Sequence, residues 1–297
     1  MNFSAKNEIF HSLREGMMAE IARCKRITGA KRTKTDPVNK KLWRDLYPKL
    51  LADLVANAAA EKWSSERLLD CQLRLFYCSL VVNLESRNQV VAYDYMDFSR
   101  RIGEVWEDFC KVCWDAPANA VLKRLKPPSF ATVRTELLDG FSALVAAGRA
   151  TNSKAILEQY QQAIDLLGNI NLTEDEYCAI GKKRFVIDFK SGFGSNEKGN
   201  TERLLTVAKI YGLLPESHEC VLVVRAAEDE GNNYLQVLKT SGLWKVCCGP
   251  AAYEFIKTLT GFDLAAWIGR NVAFHEDMET GAYQHLKQQG LTKYLGW

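Results

Sequence analysis

Residues 184–190 read Arg-Phe-Val-Ile-Asp-Phe-Lys, an alternating strand that runs straight into the glycine-rich stretch 191–200. What precedes it has a different period. Residues 1–24, 42–62, 64–83 and 97–114 place apolar side chains three and four apart, the spacing of amphipathic helices. In the fourth of these, Phe98, Ile102, Val105, Trp106 and Phe109 share one side. A basic linker containing Pro37 separates the first two, and Pro127-Pro128 ends the segment after the fourth. Further helices are expected around 130–147 and 153–167.

The period changes near Asn169. Residues 176–181 and 184–191 read as two strands around a tight turn at Gly181-Lys182-Lys183. A helix follows at 201–214, with Thr201 as its expected N-cap. The run 220–225 is almost wholly apolar, as in a strand buried on both faces, and 243–248 is a further strand after a helix at 233–240. Helices at 251–259 and 264–268 follow. This order predicts an α/β (α+β) fold, a mixed central sheet flanked by helices, with a large N-terminal helical lobe. The domain division expected is a helical lobe at 1–93 and a sheet-containing core with C-terminal helices at 94–297.

Composition narrows the classes. A hydrophobic content of 47% and charged content of 25% are those of a globular protein. The net charge of +3 is too small to define a nucleic-acid binder, but residues 23–49 are strongly basic and suited to a polyanion. Nine cysteines without regular spacing, and no apolar leader, predict reduced thiols in a cytoplasmic protein. The four histidines are scattered, so no zinc site is expected. No run approaches the ~20 apolar residues that span a bilayer, so no membrane contact is expected.

Asp188 and Lys190 lie two apart on a strand and therefore on one face. If the hairpin turns on Gly181-Lys182, Ile180 pairs with Lys183 and the register carries Asp175 opposite Asp188. Directly paired positions have Cβ atoms roughly 5 Å apart, and two carboxylates so close repel unless a cation lies between them. Lys190, one step along, is placed to position or deprotonate a water beside such a cation. The alternative for Asp188 and Lys190 is an exposed ion pair on an edge strand, contributing about 0–1 kcal/mol. Glycines 192, 194 and 199 fit that alternative less well, since a solvated hairpin needs no such loop.

The acid–strand–acid-x-Lys arrangement resembles the active site of the PD-(D/E)xK nuclease superfamily, and the length and helical lobe look like a type II restriction endonuclease. The tripeptide is Asp188-Phe189-Lys190. The first acid falls within Thr173-Glu174-Asp175-Glu176, with register favouring Asp175; Glu174 stands where the family pattern has proline. The family's glutamate on the helix before the sheet matches Glu107. The resemblance implies a Mg²⁺-dependent endonuclease acting on double-stranded DNA as a homodimer and leaving 5′-phosphate ends. Asp175, Asp188 and the Phe189 carbonyl would hold the metal, with Lys190 and Glu107 completing the catalytic set. The lobe at 1–93 would supply dimer contacts or clamp DNA. Asn196, Lys198, Asn200 and Arg203, just past the site, are the expected DNA contacts. A non-catalytic nucleic-acid- or partner-binding protein, or a repair or recombination nuclease of the same superfamily, is the alternative.

Two other chemistries fail on particular residues. Residues 194–201 nearly spell the phosphate-binding G-x-x-x-x-G-K-[ST], but the lysine position is Asn200. No G-x-S-x-G motif or Cys/His pairing supports acyl transfer. The aromatic residues Trp43, Tyr47, Trp63, Trp106 and Trp114 fall on apolar helix faces and are expected in the core.

Overall fold

The structure, a computed structural model, describes every residue except Ala150, Leu167, Asn169, Gly194, Ser195 and Asn196. It divides into two compact units, residues 1–119 with 253–297, and residues 120–252. The first unit begins with α1 (Lys6–Lys25), α2 (Lys31–Lys40), α3 (Tyr47–Ala60), α4 (Ser65–Val90) and α5 (Tyr95–Lys111). Ser64 caps α4, its hydroxyl accepting the Arg67 N–H at 3.2 Å, and Asp94 caps α5 by accepting the Asp97 N–H at 3.0 Å. From Leu73 to Ser86, α4 is buried on nearly all sides, because α1, α2 and α3 pack against it. The apolar side of α5 expected from its spacing is buried from Phe98 to Phe109.

Residues 31–40 are helical, where a linker around Pro37 was expected. The chain then continues through a wide helical turn, Lys41–Leu46, into α3. Pro48 stands in the first turn of α3, directly after this wide turn, and having no N–H it cannot donate back into it.

The second unit contains β1 (Leu122–Arg124), α6 (Phe130–Ala147), α7 (Ser153–Asp165), β2 (Glu176–Ile180), β3 (Lys183–Lys190), α8 (Lys198–Gly212), β4 (His218–Val224), α9 (Asn233–Thr240) and β5 (Trp244–Cys248). The strands form one mixed five-stranded sheet in the order β1-β2-β3-β4-β5. The first three strands run antiparallel, and β3, β4 and β5 run parallel. The hairpin has the expected register, Ile180 opposite Lys183, with Gly181 at φ 62° in the tight turn. The three-residue β1 is too short for its period to show in sequence. Beyond β5, the chain runs through α10 (Pro250–Thr260), α11 (Leu264–Asn271), α12 (Phe274–Asp277) and α13 (Thr280–Gln288), and rejoins the first unit at Tyr253.

The fold is mixed α/β, as the change of period implies. The units do not divide at 93/94, however: α5 and most of the C-terminal helices belong with the N-terminal helices. Amphipathic periodicity shows that a helix has a partner without naming it. Helix α8 starts at Lys198, three residues before the expected cap. Thr201 therefore lies inside the first turn, buried, with its hydroxyl unpartnered.

One core binds the second unit together. Val186 of β3 and Cys220, Leu222 and Val224 of β4 meet Leu204, Val207 and Tyr211 of α8 and Leu235 and Leu238 of α9. Val186 shares its strand face with Asp188 and Lys190, so α8 covers the charged face of β3. The opposite face, Phe185, Ile187 and Phe189, is buried too. With neighbours on both sides and cover on both faces, β3 is the centre of the sheet and not an edge.

Leu222→Ala, at a fully buried position of this core, is expected to destabilise the protein by about 2–5 kcal/mol, read as a lower denaturation midpoint.

Candidate active site

The parallel strands end at one edge of the sheet, and their chain continuations stay together there. The Arg225 N–H donates to the Lys190 carbonyl at 2.9 Å, and the Ala226 N–H donates to the Ser191 carbonyl at 3.3 Å. Gly249, at φ 53°, comes so close that a Cβ there would meet the Ala227 backbone at 3.4 Å. The carboxyl ends of parallel strands are where open α/β sheets bind ligands. Asp188 and Lys190 occupy that end of β3.

Asp188 is 2% exposed, against the exposed surface pair its alternation also allowed. Its Oδ1 makes an ion pair with Lys190 Nζ but has no hydrogen-bond partner. Lys190 Nζ in turn donates to the Phe189 carbonyl at 3.1 Å. The second carboxylate is that of Glu174, also buried. Arg203 of α8 bridges the two. Its Nη1 and Nη2 donate to the Glu174 oxygens at 2.5 and 3.0 Å, and Nη2 reaches Asp188 Oδ2 at 3.3 Å. Two carboxylates and two cations thus form one cluster at the buried end of the central strand.

The acidic run divides by geometry. Glu176 is the first residue of β2, pairs with Ile187, and therefore projects from the face opposite Asp188. Its carboxylate accepts Arg124 Nε of β1 at 2.7 Å. Asp175 turns its carboxylate to the strand backbone, where Oδ2 accepts the Phe189 N–H at 2.8 Å and extends the ladder ahead of β2. Counting by two is valid only within the strand, and before Glu176 it is Glu174 whose carboxylate stands with Asp188. Asp188, Lys190 and the Phe189 carbonyl lie together at the end of β3, and the Asp175 carboxylate beside them binds the strand backbone. Glu107 is carried by α5 of the first unit.

The described residues among those expected to touch DNA have partners within the protein. Arg203 is the internal counter-ion of the two acids. Asn200 donates to Glu197 at 3.2 Å and accepts from Arg203 at 3.4 Å. Lys198 is exposed and lies 3.9 Å from Glu202, one helical turn on. Asn196 lies outside the described residues. A signal for Arg203 was present in the sequence: it stands four residues before Val207 and beside Leu204, on the side of α8 that faces the sheet.

Burial pushes the Glu174 carboxyl up to about 7; the Arg203 hydrogen bonds oppose the rise, and the neighbouring Asp188 carboxylate adds to it. Burial is the largest single influence on the Arg203 charge and opposes it, but the hydrogen bonds and charges of Glu174 and Asp188 together raise the guanidinium above its ordinary range. Among the described residues, no three His, Cys, Asp or Glu side chains are grouped to hold a metal. The donor set is two carboxylates and the Phe189 carbonyl, hard oxygens of the kind Mg²⁺ takes with waters completing its shell. Asp188 Oδ1, buried and held in an ion pair by Lys190, is a hard oxygen of the kind such an ion takes. Arg203 holds the space between the carboxylates and would have to swing aside. No family model matches this chain, and neither does any curated protein or solved structure.

The raised Glu174 pKa carries a sign. Its folded value of about 7 exceeds the ordinary 4.5, so between those values the folded state holds a proton that the unfolded chain has lost. Stability should therefore fall as pH rises from about 4.5 to about 7. Glu174→Gln removes this contribution: across that window the wild type is expected to lose stability relative to the variant, measured by denaturation at each pH. Parallel stability curves would overturn the assignment.

Proposed function

We propose that the protein is a Mg²⁺-dependent endonuclease of the PD-(D/E)xK type acting on double-stranded DNA. The observation that carries this reading is the buried pair Glu174 and Asp188 with Lys190 at the carboxyl end of β3. Exposed ion pairs need no such burial. Burying two acids is costly even with Arg203 and Lys190 paired to them, and such costs persist most often where chemistry needs them.

In this reading, Glu174, Asp188 and the Phe189 carbonyl hold the ion, which when bound supplies charge stabilisation at the phosphate and a more acidic water. Lys190 lies beside Asp188 and the Phe189 carbonyl, where its ammonium orients the attacking water and stabilises negative charge on the phosphate. The water oxygen forms a bond to phosphorus as the bond to the 3′-oxygen breaks. The water's proton passes to solvent, and the leaving 3′-oxygen takes a proton from solvent, giving 5′-phosphate and 3′-hydroxyl ends. With an ion held by the carboxylates, Arg203 would no longer be needed as their counter-charge, and its guanidinium would be available to the phosphodiester. A type II restriction activity, with a homodimer matching a two-fold symmetric site, is the particular form proposed.

One observation favours a second reading. The cluster is balanced without a metal, two carboxylates against Arg203 and Lys190, as in a structural ion network of a non-catalytic nucleic-acid-binding protein.

Plasmid DNA of mixed sequence, incubated with the protein and Mg²⁺, separates the two. Discrete fragments are expected, lost with EDTA and reduced at least ~100-fold in Glu174→Gln, Asp188→Asn and Lys190→Ala that remain folded by circular dichroism. Asp175→Asn, whose amide oxygen still accepts the Phe189 N–H, should retain most activity. Intact plasmid that is nonetheless bound would replace the nuclease with the structural reading.

A further inference from the structure

The basic segment at 23–49 has a counterpart in the fold that the candidate active site does not use. Within the first unit, α2, α4 and α5 enclose a polar cavity of about 500 Å³. Lys31 and Arg32 enter it from α2, Arg87 from α4, and Arg100 and Arg101 from α5. Three carboxylates line the same walls, leaving an excess of two positive charges.

The cations differ in what neutralises them. Lys31 pairs with Asp94 at 2.8 Å and with Asp97, Arg32 with Asp36 at 3.1 Å, and Arg100 with Glu104 at 3.8 Å. Arg87 and Arg101 are poorly matched. Arg101 reaches Glu104 only at 3.6 Å and donates one hydrogen bond, to Asn83 Oδ1 at 3.2 Å. Burial holds its guanidinium below the ordinary arginine range, the mark of a charge short of compensation. Arg87 has no carboxylate within ion-pair distance among the described residues; its guanidinium lies 5.2 Å from the Tyr93 ring centroid. The Nε atoms of Arg87 and Arg101 are both buried with no hydrogen-bond partner. Those Nε atoms are sealed from the cavity, but both arginines line it, so an anion there would compensate guanidiniums that the surrounding carboxylates match poorly.

The geometry points to a binding site for a phosphate group in this cavity, with Arg87 and Arg101 as its principal ligands. Guanidinium forks match phosphate oxygens two at a time. No aromatic side chain lines the cavity, so it offers no surface on which a nucleobase could stack. The recognised chemistry is therefore the phosphate alone, from free phosphate or from a nucleic-acid backbone. The inference stands independently of the nuclease reading, since every residue involved lies in the helical unit.

The test uses the full chain and inorganic phosphate. At matched ionic strength, millimolar phosphate is expected to raise the melting temperature above that in chloride and to broaden the phosphate ³¹P resonance. Arg87→Gln and Arg101→Gln should weaken binding about tenfold or more, as for loss of a hydrogen bond to a charged partner. Arg87→Lys and Arg101→Lys, which keep the charge, should retain part of it and guard against a folding failure. A short DNA duplex without Mg²⁺ identifies the source. Displacement of phosphate by the duplex, lost in Arg87→Gln, assigns the site to the nucleic-acid backbone; phosphate binding without displacement assigns it to the free ion. Equal melting temperatures in phosphate and chloride with an unbroadened resonance, or wild-type phosphate affinity in folded glutamine variants, would overturn the inference.

Discussion

The placement of two acids against one arginine at the buried end of β3 is the constraint around which the second unit is arranged. A buried carboxylate is tolerated only with partners that match its charge, and here a single guanidinium on α8 serves two of them. That requirement sets the position of α8 over the sheet as firmly as the apolar contacts of Leu204 and Val207 do. It also ties the segment before β2 to the sheet, because Glu174 is held by the same arginine and Asp175 by the Phe189 backbone. The hairpin, the helix and the sheet edge therefore meet at one ionic cluster.

The cluster is poised between two states of charge. Glu174 titrates near neutrality because burial outweighs its arginine, and Asp188 is held between Lys190 and Arg203. A network optimised only for stability would replace the acids with apolar residues. Buried acids retained at the carboxyl end of parallel strands are the physical ground for reading the cluster as a site. In the helical unit, Arg87 and Arg101 are guanidiniums poorly matched by carboxylates beside a cavity.

Much of the architecture was legible along the chain. The change from a period near 3.6 to a period of 2 marks the sheet, and the Gly181-Lys182 turn sets the hairpin register that the strands adopt. Element limits slipped where local rules compete. Pro37 was read as a break, yet residues 31–40 are helical; Thr201 was read as a cap, yet it is the fourth residue of α8. The division into units was not legible, because α5 and the C-terminal helices show apolar faces in sequence but not which neighbours those faces cover.

The sequence by itself determined that Asp188 and Lys190 share one face of a strand that ends in a glycine-rich turn, since side-chain alternation is a property of the backbone. Which acid joins them, and whether the pair is buried, only the tertiary structure decided. The β2 ladder begins at Glu176, so register does not count residues before it, and Glu174 takes the place that alternation had given Asp175. Burial came from β4 and α8, elements 28 or more and eight or more residues further along the chain, whose docking no local pattern encodes. Arg203, which the sequence offers as a DNA contact on the sheet-facing side of a helix, becomes the counter-ion of the two acids because α8 lies across the charged face of β3.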